Sequence, residues 1–155
     1  MRHAHSPPSL ALTLLLCLLL LPLSALSMDR TQTFGQWDAH FMVLPTSMLT
    51  PEVAARYGLS RSNNTAFANI AIMDNQAATL TGVPSTITGT FTNLVGQKRE
   101  LEFQQVVEGD AVYYIAAFRF PHRERLRFQI DFTPEPDNRQ YRLEFAQDIY
   151  REDRP

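Results

Sequence analysis

The amino-acid sequence predicts an all-β chain, an antiparallel Ig-like β-sandwich of about seven strands with one short helix between the first two strands. Three features carry the prediction. Strand-like runs and turn signals recur at a spacing of roughly 8 to 12 residues along most of the chain. Leu126, Phe128, Ile130 and Phe132 alternate with Arg127, Gln129, Asp131 and Thr133, the period-two pattern of a sheet with one buried face. Gly109-Asp110 separates two apolar runs, which suits a two-residue hairpin because glycine tolerates the positive φ of a primed turn.

Taken in order, Thr31 to Leu44 holds Phe34, Trp37, Phe41, Met42 and Val43 with no clean period, and reads as one strand bent near Gly35 and ended by Pro45. A helix is predicted over Pro51 to Tyr57. Thr50 is a suitable N-cap, Pro51 fits the first helical position, Glu52 sits near the positive end and Gly58 stops the helix. Two turns are too few to persist alone, so the helix is expected to dock on a sheet. Thr65 to Met73 reads as a strand, and Asp74 to Pro84 as a loop. In Ser85 to Val95 the threonines 86, 88, 90 and 92 share one side, opposite Ile87, Gly89 and Phe91.

Arg99 to Phe120 is the clearest folding instruction. With Gly109-Asp110 as the loop, Val107 faces Val112, Phe103 faces Ala116, Leu101 faces Phe118 and Glu100 faces Arg119. One side then collects Leu101, Phe103, Val107, Val112, Tyr114, Ala116, Phe118 and Phe120. The other side holds the Glu100–Arg119 charge pair, but also Val106, Tyr113 and Ile115, so another element is expected to cover part of it. A one-residue slip would exchange the two sides, which fixes the register. Tyr141, Leu143, Phe145, Gln147 and Ile149 form the last alternating strand, ahead of a frayed REDRP tail. The final four predicted strands are joined by short links and are expected to form a meander.

The chain of 155 residues opens with a basic Met1-Arg2-His3 end, an apolar run over Leu10–Leu21, Pro22 and small residues at Ala25-Leu26-Ser27. This is the pattern of a cleaved secretory signal peptide over residues 1–27, leaving one domain over 28–155. The apolar run is shorter than the roughly 20 residues that span a bilayer. Cys17, the only cysteine, leaves with the leader. An exported domain without a disulfide must be held by its core, and points to a bacterial periplasm rather than to eukaryotic secretion. With 14 basic and 16 acidic residues, the charge balance argues against nucleic-acid binding. No motif asks for a cofactor.

The segments LTPEVAARYGLSRS, NLVGQKRELEF, EGDAVYYIAAF and LEFAQDIY, in this order behind a leader, resemble the domain-of-unknown-function family numbered 4426, small exported proteins of proteobacteria. The resemblance covers nearly the whole exported part. It implies a periplasmic, β-rich single domain and carries over no catalytic residue, ligand or partner.

The candidate sites are few. Asp38 and His40 lie two apart in a strand and share a face; with Asp131 or Asp148 they would offer mixed oxygen and nitrogen ligands to a metal, as in a small metal-dependent hydrolase. Arg119, His122, Arg123, Arg125 and Arg127 form the densest basic stretch, suited to phosphate groups on lipid or lipopolysaccharide. A lectin-like or lipid-binding patch would use Trp37, Tyr113 or Tyr150. No serine stands in a nucleophile elbow, and thiol catalysis has no cysteine to use once the leader is gone. The reading that results is a periplasmic module binding a protein or an envelope component, without catalysis and without membrane insertion after cleavage.

Overall fold

The computed structural model describes residues 30–79, 81–121 and 123–150. The leader, its cleavage point and the REDRP tail lie outside these residues. Nine strands are present among them: β1 (Arg30–Phe34), β2 (Trp37–Pro45), β3 (Thr65–Asp74), β4 (Ser85–Thr92), β5 (Lys98–Leu101), β6 (Gln104–Glu108), β7 (Ala111–Arg119), β8 (Arg123–Pro134) and β9 (Tyr141–Tyr150). They form two antiparallel sheets, ordered β1-β2-β3-β7-β6 and β5-β4-β8-β9, packed face to face as the expected sandwich. One short helix, α1 (Pro51–Arg56), follows β2.

Two predicted strands are each split in two, which raises the count from seven to nine. Thr31–Leu44 is a hairpin rather than a bent strand: Phe34 pairs with Trp37 and Arg30 with Phe41. Gly35 has φ +66°, a conformation that glycine reaches without a Cβ penalty, and that lets Gly35-Gln36 close the turn. The second split falls at Glu102-Phe103. The predicted register is right from Glu108↔Ala111 to Gln104↔Ile115. Beyond it the chain leaves β7 and crosses to the other sheet, where Leu101 pairs with Gly89 and Glu100 with Thr90. The Glu100–Arg119 and Leu101–Phe118 pairings therefore do not exist. The expected meander fails for the same reason, since β5 and β6 lie in different sheets and β8 pairs with β4. Val107 was expected inside, yet it is 61% exposed, near the end of a strand that forms the edge of its sheet.

The crossover needs space inside the sandwich. A Cβ on Gly89 would stand 2.6 Å from Ile130 Cδ1 and 2.9 Å from Phe103 Cε2. The missing side chain admits the Phe103 ring at the point where the chain changes sheet.

Rings from both sheets meet between the layers. Phe41 of β2 stacks on Phe145 of β9 with centroids 4.3 Å apart, Phe145 on Phe128 of β8 at 4.8 Å, and Phe128 meets Phe118 of β7 edge-on at 5.7 Å. Phe118 lies 4.8 Å from Phe91 of β4. Such geometries add to the area that the rings bury. The predicted row Leu126, Phe128, Ile130 and Phe132 points inward and is fully buried. The buried Tyr114 hydroxyl accepts a hydrogen bond from the Ser85 amide, tying β7 to the start of β4.

Phe67 and Ile115 face outward from the first sheet yet are buried, so that face is covered, as expected. The covering element is the segment carrying α1. Ala54 is buried, and Tyr57 donates to Glu108 at the end of β6. Thr50 caps α1 by accepting from Val53 N, and the amides of Gly58 and Leu59 close its end on Ala55 and Ala54. The segment is clipped at its base by Thr46, fully buried, whose hydroxyl accepts from Ser62 N and donates to the carbonyl oxygens of Ser62 and Thr65.

Trp37 ties the first sheet to the β8–β9 turn. Its indole donates to Asp137, which also accepts from the Tyr141 hydroxyl and the Arg139 amide. Asp137 is held below the usual carboxylate range, first by the Tyr141 hydroxyl, then by the Arg139 amide and the indole.

Two predictions follow from these contacts. Gly89→Val should lower stability by about 1–3 kcal/mol, the range for overpacking a full interior, and an unchanged denaturant midpoint would contradict the account of the crossover. Because Asp137 titrates lower in the folded chain, its contribution is complete above the ordinary aspartate value of about 3.9 and fades as pH falls through the lower folded value. Trp37 is the only tryptophan, so its fluorescence should report that acid transition, and Asp137→Asn should abolish it. The same transition in the variant would show that Asp137 is not its source.

Candidate functional site

Strand alternation disperses the basic stretch that looked continuous in sequence. Arg123, Arg125 and Arg127 point outward from β8, two residues apart. Arg125 is paired with Asp148 at 3.2 Å, and the Arg123 guanidinium lies over the Tyr150 ring, 4.8 Å from its centroid. Arg127 borders a shallow depression of about 450 Å³ on the outer face of the second sheet, with Thr90, Thr92, Lys98 and Glu144. Arg119 ends β7 in the other sheet. His122 lies outside the described residues.

Arg119 instead meets a residue that the sequence reading did not single out. At one end of the sandwich, Arg119 and Arg99 line a common depression of about 420 Å³. The sheet crossover accounts for both. It moves Glu100 away to pair with Thr90, which leaves Arg119 without the carboxylate that a continuous hairpin would give it. It also places Arg99 opposite Phe91, on the inward side of an edge strand. Two arginines from different sheets thus line one depression. Among the described residues, neither guanidinium has a hydrogen bond or an ion pair. An inward-pointing charge also keeps an edge strand from pairing with another chain.

Hydrogen bonds brace two walls of this depression. Phe91 and Phe120 form a buried apolar floor. Phe120 N donates to Asn64 O, which ties the residue after β7 to the turn before β3. In the β4–β5 turn Asn93 Nδ2 donates to Gln97 Oε1, and Gln97 N donates to Asn93 Oδ1. Asn64, Asn93 and Gln97 all line the site, and Glu124 lines it too and offsets one of the two positive charges. Two guanidiniums beside amide groups, over an apolar floor, suit a carboxylate or phosphate group attached to an apolar body.

Asp38 and His40 share the outer face of the first sheet. Asp38 Oδ1 accepts from Thr33 at 2.7 Å and Asn75 at 3.1 Å, and these hydrogen bonds, Thr33 first, hold its carboxyl below the usual range. His40 Nδ1 is 3.0 Å from the Thr31 hydroxyl. The third ligands considered from sequence are elsewhere: Asp131 and Asp148 lie on the outer face of the second sheet, bound to Arg142 and Arg125. Among the described residues, no group of three or more His, Cys, Asp or Glu side chains is placed to hold a metal. His40 does border a groove of about 390 Å³ with Met42, Met73 and Tyr113 around Ala71. The three aromatics form no common patch: Trp37 is buried in the core, Tyr113 borders that groove, and Tyr150 is half exposed at the end of β9. Among the described residues no helix is long and apolar enough to cross a membrane.

A weak sequence signal lay in Gln105, an inward but exposed position of β6 in an otherwise apolar row, two residues past Phe103. The partnership of Arg99 with Arg119 had none, since it depends on which sheet β5 joins.

Comparison with known proteins agrees with this geometry at the level of fold. The chain is similar to the solved structure of a DUF4426 family protein from Pseudomonas aeruginosa PAO1, with 30% identity and a TM-score of 0.71 over 83% of this chain and 99% of that one. It is also similar in fold to FetP of uropathogenic E. coli, in a form expressed in the periplasm, with 15% identity and a TM-score of 0.59 over 81% and 96% of the two chains. A copper-bound variant of that FetP gives 16% and 0.56, over 78% and 94%. None of the curated proteins matches the chain. The profile of a domain of unknown function, DUF4426, matches residues 31–152. The chain belongs to the DUF4426 family.

Proposed function

We propose that the protein is an exported binding module of the periplasm, and that it holds an anionic component of the envelope at the end of its sandwich. The leader pattern over residues 1–27 supports export. The observation that carries the binding reading is the pair Arg99 and Arg119, brought from two sheets to one depression and left without carboxylate partners among the described residues. Guanidinium pairs recognise phosphate and carboxylate through paired hydrogen bonds. The residues that line the site offer charge and shape for holding an anion, and the reading is therefore one of binding. A metal-dependent hydrolysis at Asp38 and His40 is the weaker reading, because both side chains are engaged with threonines of β1 and the acids of the second sheet are out of reach.

Inorganic phosphate titrated into the protein, followed by amide chemical shifts, should perturb residues around Asn64, Asn93 and Arg119. Arg99→Gln combined with Arg119→Gln should weaken binding by about tenfold or more, the factor that corresponds to losing a single hydrogen bond to a charged group. Glu124→Gln should strengthen it. Unaltered phosphate binding in the double variant, or weakened binding in Glu124→Gln, would refute the assignment.

A further inference from the structure

The same end of the molecule carries an exposed apolar tip. Leu94 and Val95 are 68% and 78% exposed. They are the two central residues of the β4–β5 turn, closed by Gly96 N donating to Asn93 O at 3.0 Å and Asn93 N donating to Gln97 O at 3.1 Å. Turn centres are ordinarily Gly, Pro, Asn, Asp or Ser, which suit both the backbone and water. Here two branched aliphatic side chains stand in water on a turn that the Asn93 and Gln97 side chains brace further.

The surroundings of this tip are basic. On one side Leu94 and Val95 share a depression of about 470 Å³ with Arg123 and Arg125. On the other, Asn93 and Gln97 of the same turn border the site of Arg99 and Arg119. Asp148 neutralises Arg125, and Glu124 borders both depressions. Arg99, Arg119 and Arg123 then outnumber the remaining acid around the tip, on a chain whose net charge is −2. Tyr150, beneath Arg123 and half exposed, adds an amphipathic ring of the kind that settles at headgroup level.

We infer that this end docks on an anionic phospholipid surface, with Leu94 and Val95 entering the acyl boundary and Arg99, Arg119 and Arg123 engaging headgroup phosphates. This rests on the reading of the Arg99–Arg119 site as an anion site, and it names the source of the anion. A lipid surface fits because it complements an apolar point inside a positive rim. A protein partner would need a broader buried centre with aromatic anchors, which this two-residue tip does not offer.

The test is sedimentation of the purified protein with vesicles of phosphatidylglycerol mixed into phosphatidylcholine, and with vesicles of phosphatidylcholine alone. Binding should require phosphatidylglycerol and fall as salt is raised. Leu94→Ser combined with Val95→Ser, which removes the apolar tip without adding charge, should weaken vesicle binding about tenfold or more, while leaving the melting temperature and phosphate binding at the Arg99–Arg119 site unchanged. Arg99→Gln with Arg119→Gln should weaken both kinds of binding. Equal sedimentation of the Leu94/Val95 variant and the unaltered protein, or equal binding to phosphatidylcholine alone, would overturn the inference. Phosphate binding without vesicle binding would overturn the inference and leave the anion site standing. Failure to bind either would remove both.

Discussion

The structure depends on one seam of aromatic rings between its two sheets. Phe41 and Phe118 come from the first sheet, and Phe91, Phe128 and Phe145 from the second, with contacts that cross the interlayer space more than once. A second set, Phe34 with Phe132 and Tyr141, closes the side where β1 and β9 lie. With a single cysteine the chain can form no internal disulfide, so burial must outweigh the conformational entropy of the chain. Rings serve this well, because each buries a large area and loses few rotamers. The polar ties are placed where they complete the seam. Tyr114 reaches Ser85, and Trp37 reaches Asp137, each joining an element of one sheet to the other.

The candidate site is a by-product of how that seam is closed. Strands β5 and β6 are continuous in sequence but serve opposite layers, and the Phe103 ring fills the gap where they part, against Gly89. Had the strand run on beside β7, Glu100 would face Arg119 and the end of the sandwich would carry a surface ion pair of little consequence. The change of sheet breaks that pair and brings Arg99 to the same mouth. Packing in the core and charge at the rim are thus decided by one event in the chain.

Much of this was legible in the residues, and what was not has definite causes. The alternation in Ser85–Thr92 and Leu126–Phe132 predicts faces that the structure reproduces, because both strands have one wet and one dry side. The caps of α1 were legible because Thr50, Pro51 and Gly58 act locally. The first hairpin was hidden: β1 is an exposed edge whose residues show no period, and Gly35 alone marks the turn. The split at Glu102-Phe103 was hidden because no Pro or Gly stands there and both halves alternate plausibly. Only tertiary packing chooses the partner. The spatial arrangement of the arginines was hidden in a similar way. Density of arginine along the chain reflects density in space on a helix or loop, but on a strand half the residues turn away and a crossover sends neighbours to different layers. Arg119 stood in the basic stretch, while Arg99, twenty residues earlier in the chain and lining the same depression, did not.

The claim that the two sheets share one cooperative core is tested most directly by native-state hydrogen exchange. Ile70 in β3 and Ile130 in β8 are both fully buried. Their amides should exchange with the same free energy, equal to that of global unfolding, and Phe128→Leu should lower both equally. Protection at Ile70 that survives while Ile130 exchanges would mean that the sheets open separately, and would contradict a single seam holding them together.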